Sequence, residues 1–429
     1  MPFNHVDFTD KYERIMQFDK NKSEFIHKWY PFVEGYSKEF ITSVVNELDE
    51  MPRLCADPFA GSGTTPLELQ NSGINCYSFE VSPFMHLLAS VKLETTYKVK
   101  EFDHYTNFLE RELNEKLKPI RQLVSPPGAK TFQKKKNLKK WIFHRSVMDG
   151  ILDIKYAISR IDDVRYQNLF KIALASILLE ISNVYRDGKS VKYKANWENK
   201  RLKRREVHTK FLNKLNTIIK PDITELEGTN LEVTNGQFCI HGDVRQNLNI
   251  LQNNSIDLVI SSPPYLNSRD YTDIYIVELW VLDLIGDYDQ LRTLRASTIR
   301  SHVQVKHGDV PLVDSQILKT ALEKLSNGHP EQWNRELPGM IKGYFQDMNL
   351  LFQGLEQKMS NSGKVFFNVA NSAYYGIEIE VDNILAGLAE QNGFEIEEIR
   401  KARDLKPSSQ QKDLIDSLRE TVIVMRKAV

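Results

Sequence analysis

A run of apolar and β-branched residues ends abruptly in the sequence SSPPY, residues 261–265. The run is typical of a buried strand, but proline lacks the N–H donor of a strand ladder, so the strand must stop at Pro263. The corner offers the hydroxyl of Ser262, the Pro263 carbonyl, which Pro264 holds in place, and the ring of Tyr265. The two oxygens can accept hydrogen bonds from an exocyclic amino group and direct its lone pair toward an electrophile, and an extruded base can stack on the ring.

A second candidate site lies in CADPFAGSGTTPLEL, residues 55–69. Gly61 and Gly63 allow a tight turn, and the pattern that follows predicts a helix with Thr65 as its N-cap and Glu68 completing a capping box. The N-terminus of such a helix presents free N–H donors and a positive dipole end. This loop therefore favours an anionic group.

Two departures from familiar loops narrow the choice of ligand. A nucleoside triphosphate loop would place a lysine where Thr64 follows the second glycine, and a dinucleotide loop would place a third glycine at Pro66. The remaining candidate is an amino-acid carboxylate, as in S-adenosylmethionine.

Acidic residues follow two further predicted strands. Glu80 ends the run 74–80 and could accept hydrogen bonds from both ribose hydroxyls of a nucleoside. Asp243 follows the run 237–241 and could accept from an adenine amino group. Together with the glycine loop, these carboxyl-terminal strand ends predict one ligand crevice at the edge of a sheet.

The elements that must position these residues form two blocks. Strand-like runs alternate with helical patterns and predict an α/β fold with a doubly wound, mostly parallel sheet. The predicted strands are residues 53–57, 74–80, 237–241, 256–261, 364–370, 394–400 and 421–427. Between the blocks, apolar residues recur at helical spacing and predict a large helical insert. A second stretch without strands, residues 286–343, is a long loop excursion or a small helical subdomain.

The composition of the 429 residues is 41% hydrophobic and 27% charged, as in ordinary globular proteins. No stretch approaches the roughly 20 apolar residues of a membrane span, and the first residues lack a signal-peptide core. We therefore expect a cytoplasmic protein without a membrane partner. The three cysteines are widely spaced in strand-like runs and predict neither a disulfide framework nor a metal site.

Charge is unevenly distributed along the chain. Its net charge is zero, yet residues 130–220 contain 23 Lys plus Arg against 8 Asp plus Glu, a local excess of +15. A basic segment in a neutral chain is typical of a polyanion-binding surface. The alternative is a solvated helical face. In the second excursion, Arg292, Arg295, Arg300 and His302 could serve the same purpose.

DPFAGSGTT followed by SSPPY resembles the exocyclic-amino DNA methyltransferases, and the Ser-Pro-Pro-Tyr form is most similar to those that methylate N4 of cytosine. The resemblance covers residues 29 to about 426 with the insert left out. It implies a Rossmann-like seven-stranded sheet with one antiparallel strand, S-adenosyl-L-methionine as cofactor and double-stranded DNA as substrate. It also implies a restriction-modification or phage-defence setting, with a separately encoded restriction endonuclease as a possible partner.

The resemblance also assigns residues to roles. The catalytic motif is Ser262, Pro263, Pro264 and Tyr265. The segment KWYPFVEGYSKEF, residues 28–40, looks like the family's N-terminal cofactor motif. The implied cofactor-binding residues are Trp29, Tyr30, Pro31, Phe32, Asp57, Phe59, Gly61, Gly63, Thr64, Thr65, Glu80 and Asp243. The candidate DNA-binding residues are Lys134, Lys135, Lys136, Lys139, Lys140, Lys192, Lys194, Arg201, Arg204 and Arg205.

The expected catalytic domain is discontinuous, comprising residues 1–97 and 228–429. Residues 98–227 form the basic insert, a candidate target-recognition region by analogy with the family's order of motifs. Residues 286–343 form a second excursion that could also read DNA, and the sequence does not choose between them. Trp141, Tyr193 and Trp197 interleave with the insert's charges and either stack on bases or pack the insert.

The sequence offers four alternatives to cytosine-N4 methylation of DNA, and it argues against one of them. Adenine N6 or an RNA base is a possible acceptor, because each has an exocyclic amine, although Ser262 in place of Asp or Asn favours cytosine. A catalytically inactive DNA-binding module with a methyltransferase fold is a third. Cytosine-C5 methylation needs a thiolate nucleophile, and no cysteine stands in a Pro-Cys loop.

Overall fold

The computed structural model describes residues 3–32, 35–114, 127–187, 191–229, 237–266, 270–304, 308, 310–328, 335–407 and 411–428. Parts of the cofactor-motif segment (33–34), of the basic insert (115–126 and 188–190) and of the second excursion (305–307, 309 and 329–334) lie outside these residues.

Twelve strands occur within the described ranges. They are β1 (His5–Asp7), β2 (Leu54–Asp57), β3 (Asn75–Glu80), β4 (Val184–Arg186), β5 (Val191–Tyr193), β6 (Gln237–His241), β7 (Ile256–Ser261), β8 (Met359–Ala370), β9 (Ser372–Tyr374), β10 (Ile377–Ile379), β11 (Phe394–Leu405) and β12 (Leu418–Lys427).

The same ranges contain sixteen α-helices. They are α1 (Thr9–Tyr12), α2 (Lys38–Val45), α3 (Thr64–Asn71), α4 (Pro83–Leu93), α5 (Val99–Asn114), α6 (Arg145–Ser159), α7 (Val164–Ile181), α8 (Arg204–Lys214), α9 (Lys220–Gly228), α10 (Val244–Asn247), α11 (Tyr271–Ile274), α12 (Ile276–Val281), α13 (Tyr288–Ser297), α14 (Gln316–Gly328), α15 (Leu337–Lys358) and α16 (Val381–Gln391). Short 3₁₀ turns cover Phe18–Ser23, His27–Trp29 and Leu248–Ile250, and a π-helical turn covers Leu215–Ile219.

Eight strands form one sheet in the order β1-β11-β12-β8-β7-β2-β3-β6. All neighbouring pairs are parallel except those of β12, which runs antiparallel to both β11 and β8. The mostly parallel sheet is confirmed, and all seven predicted strands are present. The eighth strand is β1, which adds three residues at the edge beside β11.

Side chains along the central strands alternate between two buried cores. Val365 and Phe367 pack in one core with α15 and α16, whereas Phe366 packs in the other with α2. Both faces of the sheet are thus covered by helices, which is why its strands read as continuous apolar runs. The doubly wound α/β fold is confirmed.

Residues 98–227 contribute no strand to the large sheet among the residues described. Helices α5 to α9 build a third core that continues into α4 and α12 and into the N-terminal aromatic residues. The insert is not wholly helical, because β4 and β5 form a small antiparallel hairpin. The boundaries of the predicted domains stay a prediction. None of the described helices is long and apolar enough to cross a membrane.

Candidate active site

The loops that follow four neighbouring parallel strands line one cleft. These loops leave the carboxyl ends of β2, β3, β6 and β7, which the parallel arrangement brings to one edge of the sheet. Of the predicted site residues, those that line the cleft are Phe32, Phe59, Gly61, Thr64, Thr65, Glu80, Asp243, Ser262 and Pro264. Two motifs separated by about 200 residues of sequence therefore face the same space.

The helix after the glycine loop begins two residues earlier than the sequence predicts. Gly63 is the N-cap of α3, with a left-handed φ of 80°, and no side chain caps the helix. The prediction that Thr65 is the N-cap and Glu68 part of a capping box was wrong. The Thr65 hydroxyl is instead 2.7 Å from the Tyr36 hydroxyl. Glu68 Oε1 is 2.8 Å from His27 Nε2.

Two reasons require glycine at Gly63. Its positive φ disfavours other residues, and a Cβ there would lie 2.9 Å from the Cβ and 3.1 Å from the Cα of Ala89 in α4. Gly61 also has a positive φ, of 51°, and a Cβ there would meet only Phe32 at 3.6 Å. Gly63 thus serves helix packing, while Gly61 shapes the floor of the cleft.

Glu80 closes the loop over the end of β3. Its carboxylate accepts hydrogen bonds from the backbone N–H groups of Gly61 and Ser82, both at 2.8 Å. Removal from water raises the pKa of Glu80 to about 7, and the two amide donors only partly offset this effect. The carboxyl lies at the cleft wall, where an entering ligand can reach it.

Asp57 lies beneath the cleft and does not line it. It is 1% exposed and accepts hydrogen bonds from the Ser261 hydroxyl at 2.6 Å and from the Phe59 N–H at 3.0 Å. Burial raises the pKa of Asp57 to about 6. This carboxylate therefore joins the end of β2 to the end of β7 and links the two predicted motifs.

Lys92 supports the glycine loop from below and was not found by sequence reasoning. The side chain is fully buried in α4, and its Nζ donates to the carbonyl of Ser62 at 2.9 Å. Burial lowers the pKa of Lys92 to about 7. A lysine within an apolar helix pattern could have suggested such a contact, but no local signal identifies its partner.

Asp243 lines the cleft but already has partners. It caps α10 by accepting from the Arg245 N–H at 3.0 Å, and its two oxygens also face the Arg245 guanidinium at 2.6 to 3.1 Å. Arg245 in turn pairs with Asp347. An adenine amino group would have to share the Asp243 carboxylate with this arginine.

The Pro-Pro corner holds the side chains of Ser262 and Tyr265 against the next strand. The Ser262 hydroxyl donates to the carbonyl of Asn368 in β8 at 3.2 Å. The Tyr265 hydroxyl donates to Glu420 and accepts from the Asn368 amide at 2.9 Å. Since the hydroxyl hydrogen of Ser262 is engaged, its oxygen keeps lone pairs for a donor in the cleft.

The N-terminal cofactor motif reaches the cleft through Phe32, whose ring stacks on Tyr275 at 6.1 Å with an interplanar angle of 8°. Trp29 is buried behind it and donates to Asp222 at 2.9 Å. Tyr30 is also buried and donates to Glu278 at 2.7 Å. Pro31 is exposed outside the cleft.

Arg186 ties the hairpin of the insert to this aromatic wall. Its side chain is 5% exposed, donates to Glu278 at 2.9 Å and lies over the Tyr275 ring at 4.4 Å. It also donates to the Ile274 carbonyl at 3.1 Å. Glu278 is itself buried, so this ion pair lies inside the core.

The second excursion forms the opposite wall of the cleft, which sequence reasoning missed. The lining residues of the second excursion are Leu294, Ser297, Thr298, Ile299, Ser301 and His302, and Tyr271 and Thr272 of α11 complete this wall. Its arginines are mostly held by acids: Arg295 by Asp270 and Arg300 by Asp347. They position this wall and do not form an open basic patch.

Two basic stretches of the insert, residues 134–141 and 192–210, meet around an aromatic cluster. Trp141 and Trp197 pack edge to face at 4.7 Å, and Tyr193 lies 5.4 Å from Trp197. Lys134 Nζ is 5.1 Å from the Trp141 ring centroid, and Lys140 Nζ is 5.3 Å from that of Tyr193. The aromatic residues pack with one another and carry the lysines on their outer side.

The ten candidate DNA-binding residues divide into two groups. Arg204 pairs with buried Asp153, Lys192 pairs with Asp187, and Lys194 donates to three carbonyls at the end of α7. The other seven are exposed and belong to no ion pair among the described residues: Lys134, Lys135, Lys136, Lys139, Lys140, Arg201 and Arg205. This second group is the more suitable for phosphate contacts.

The chain is similar to known proteins over nearly its whole length. It is 27% identical to the Type II methyltransferase M.BsoBI of Geobacillus stearothermophilus, over 95% of this chain and 86% of that protein. It is 24% identical to the Type II methyltransferase M.AvaI of a Nostoc species, over 96% of this chain and 89% of the relative. Type II methyltransferases are its relatives.

A third such relative, the Type II methyltransferase M.MjaII of Methanocaldococcus jannaschii, is 29% identical over 76 residues, or 18% of this chain. No protein-family model matches the chain. The first two similarities span both sequence blocks and the insert, and not the glycine loop alone.

Proposed function

We propose that the chain is a site-specific DNA methyltransferase that transfers a methyl group from S-adenosylmethionine to the N4 amino group of cytosine in double-stranded DNA. The observation that carries this proposal is that Ser262 and Pro264 line the same cleft as Gly61 and Glu80. In this proposal, the acceptor of the amino group adjoins the residues that would hold a nucleoside-containing methyl donor. Relatives that are Type II methyltransferases support the same class of reaction.

The cleft residues fit S-adenosylmethionine, the methyl donor of Type II DNA methyltransferases. Glu80 can accept from ribose hydroxyls, the start of α3 can receive a carboxylate, and Phe32 provides an apolar wall. The buried hydroxyl of Ser62 has no hydrogen-bond partner among the described residues, which leaves a polar group in the loop for a ligand. When bound, the cofactor supplies a methyl group on a positively charged sulfur, which is electrophilic without further activation.

The contribution of the protein is to prepare the nitrogen. The N4 lone pair of cytosine is delocalised into its ring, so hydrogen bonds that pull the amino hydrogens out of plane make it a better nucleophile. Ser262 and the Pro263 carbonyl are the acceptors for these hydrogens, and Tyr265 presents a ring against which the extruded base stacks. After transfer, the amino group loses one proton to solvent or to an acceptor at the corner.

Cytosine-C5 methylation does not fit this site. It needs a nucleophilic thiolate, but Cys55 and Cys76 are buried in the sheet and burial raises the pKa of both thiols above the usual range. Cys239, in β6, likewise has its pKa raised by burial, to about 12. A direct transfer to an exocyclic amine needs no such nucleophile.

DNA would be held by the exposed cations of the insert, with residues 98–227 as the target-recognition region and residues 1–97 and 228–429 as the catalytic domain. The relatives belong to restriction-modification systems. We therefore also propose a restriction or phage-defence role in the cytoplasm, with cleavage by a separately encoded endonuclease.

The test is to express the chain in a bacterial host that lacks DNA methylation and to identify the modified nucleosides by mass spectrometry. N4-methylcytosine that disappears in the Ser262→Ala variant is the expected result. N6-methyladenine alone would favour the adenine alternative, and modified RNA with unmodified DNA would overturn DNA as substrate. Base-resolution mapping of the same genome would give the recognition sequence.

A further inference from the structure

One residue of β8 contacts both functional side chains of the Pro-Pro corner. The Asn368 carbonyl accepts from the Ser262 hydroxyl at 3.2 Å, and its side-chain amide donates to the Tyr265 hydroxyl at 2.9 Å. Asn368 is 1% exposed, so it cannot itself meet a substrate. It is fixed by the pairing of β8 with β7 on one side and β12 on the other.

A buried carboxylate from β12 completes this network. Glu420 is 1% exposed and accepts from the Tyr265 hydroxyl and, at 3.1 Å, from the Asn368 amide. Arg403 in β11 pairs with the other carboxylate oxygen, which compensates its charge. Burial, then the nearby Glu420 charge, raises the pKa of Tyr265 well above its usual value, so the phenol stays a neutral donor.

These contacts fix the orientation of the Asn368 amide. The opposite orientation would turn its oxygen toward the Glu420 carboxylate, and two acceptors would then face each other. With the NH₂ group on this side, Tyr265 donates to Glu420 and accepts from Asn368, so its hydroxyl hydrogen has one direction. The tyrosine ring is therefore held from its far end by two strands of the sheet.

We infer that Asn368 and Glu420 are positioning residues for methyl transfer, an inference that rests on the proposed function. Glu420 and the Asn368 amide hold the Tyr265 ring at one angle to the incoming base. The Asn368 carbonyl takes the Ser262 hydrogen and thereby leaves the serine oxygen as an acceptor for the amino group. Neither residue touches cofactor or base, so both act through the corner alone.

The experiment is a double-mutant cycle between Glu420→Gln and Tyr265→Phe, measured as methyl transfer from labelled S-adenosylmethionine to DNA. Replacement of the charged acceptor by a neutral amide weakens the hydrogen bond from Tyr265 and predicts that kcat falls about tenfold in Glu420→Gln. In the Tyr265→Phe background, which has no hydroxyl to hold, the same substitution changes kcat less than twofold. Affinity for S-adenosylmethionine stays within twofold of wild type in every variant, as calorimetry would check.

Asp382→Asn is the matched control. Asp382 is fully buried and pairs with Arg419, the residue next to Glu420 in β12, but it does not contact the corner. We expect this variant to lose thermal stability without a fall in kcat at a temperature where it is folded. Asn368→Leu keeps the backbone carbonyl, and we expect it to lower kcat as Glu420→Gln does. In the Tyr265→Phe background, it should likewise change kcat little.

Two results would overturn the inference while leaving the proposed function intact. One is an active wild type together with a double variant whose loss in kcat equals the full product of the losses in Glu420→Gln and Tyr265→Phe. The other is a loss of cofactor affinity as large as the loss in kcat, which would indicate general damage to the cleft. A wild-type protein that binds S-adenosylmethionine but methylates no DNA would instead overturn both.

Discussion

In the cleft and directly beneath it, Glu80, Ser262 and Asp57 each have a hydrogen-bond partner from a neighbouring strand or loop, at 2.6 to 3.2 Å. On the insert, Lys135 and Lys139 are exposed and belong to no ion pair within the described part of the chain. The first region has its polar groups fixed before any ligand arrives. The second keeps its charges on flexible side chains in solvent.

This difference follows from what each region would have to recognise. Activation of one amino group depends on a few tenths of an ångström and on direction, so a rigid site saves reorganisation at the moment of reaction. Phosphates are repeated along DNA, and their attraction for cations is long-ranged and tolerant of geometry. Rigid acceptors and mobile cations are thus each suited to their ligand.

The largest expected effect is that of Ser262→Ala. Removal of the acceptor should lower kcat about 100-fold, since pre-aligned polar groups at a reacting centre contribute on this scale. Affinity for S-adenosylmethionine should stay within about threefold. Ser255→Ala is the control, because Ser255 lies just before the same strand at the end away from the cleft, and its hydroxyl donates to the nearby Gln252 carbonyl. Equal losses in both variants would show that the strand, and not the acceptor, had been damaged.

The second prediction concerns the packing of α3 against α4 below the glycine loop. Gly63→Ala and Gly73→Ala both place a side chain at a positive φ, of 80° and 71°, but only the first brings a Cβ against Ala89. The clash should therefore lower the free energy of unfolding of Gly63→Ala by about 1–3 kcal/mol more than backbone strain alone lowers that of Gly73→Ala. Chemical denaturation measures this difference. Similar losses would mean that α3 and α4 separate easily.

The third prediction concerns the basic surface. The double variant Lys135→Gln/Lys136→Gln should reduce the slope of log Kd against log salt by about 1.8 if each lysine contacts one phosphate. Between 50 and 200 mM salt, the rise in Kd of the double variant should therefore be roughly tenfold smaller than the rise in Kd of the wild type. The exposed pair Lys406 and Lys412, changed in the same way, is the control. Filter-binding or anisotropy titrations measure both, and an unchanged slope would direct attention to the second excursion.

The smallest expected effect is a pH dependence of cofactor binding. The raised pKa of Glu80, about 7 in place of 4.5, means that the free folded protein binds more protons than the unfolded chain between these values. Stability from this group therefore falls as pH rises through that window. If ribose hydroxyls prefer the carboxylate form, affinity for S-adenosylmethionine should rise severalfold from pH 6 to pH 8.

Calorimetry in two buffers with different protonation enthalpies would detect the proton that Glu80 releases on binding. Glu80→Gln should remove this part of the pH dependence. An unchanged profile in that variant would assign the titration to another group, of which Asp57 and Lys92 have pKa values in the same range.

Much of the sheet could be predicted because buried strands leave continuous apolar runs. All seven runs became strands, whereas β1 was missed because its three residues are mostly exposed and show no pattern. The hairpin β4 and β5 was missed for a related reason: two three-residue strands inside a basic segment have little periodicity. Short elements are formed by tertiary context, which local sequence does not contain.

The site was predictable where residues are close in sequence and not where they are close only in space. The loop at Gly61 and the corner at Ser262 were visible as compact motifs. Asn368 and Glu420 lie more than 100 residues beyond the corner and carry no local signal. The pairing of Asp243 with Arg245 could have been anticipated, since a capping aspartate and an arginine two residues later commonly meet.

If the insert is the target-recognition region that we propose, the buried pair of Arg186 and Glu278 bears on how the chain could change its target sequence. The insert supplies the arginine and the sheet domain supplies the acid, and loss of either partner would leave an uncompensated charge in the core, at about 3–5 kcal/mol. An insert exchanged between relatives must therefore bring an arginine to the same place. The ion pair thus limits which inserts are compatible with the sheet domain. We therefore expect a transferred insert to function only when Arg186 and Glu278 are transferred together.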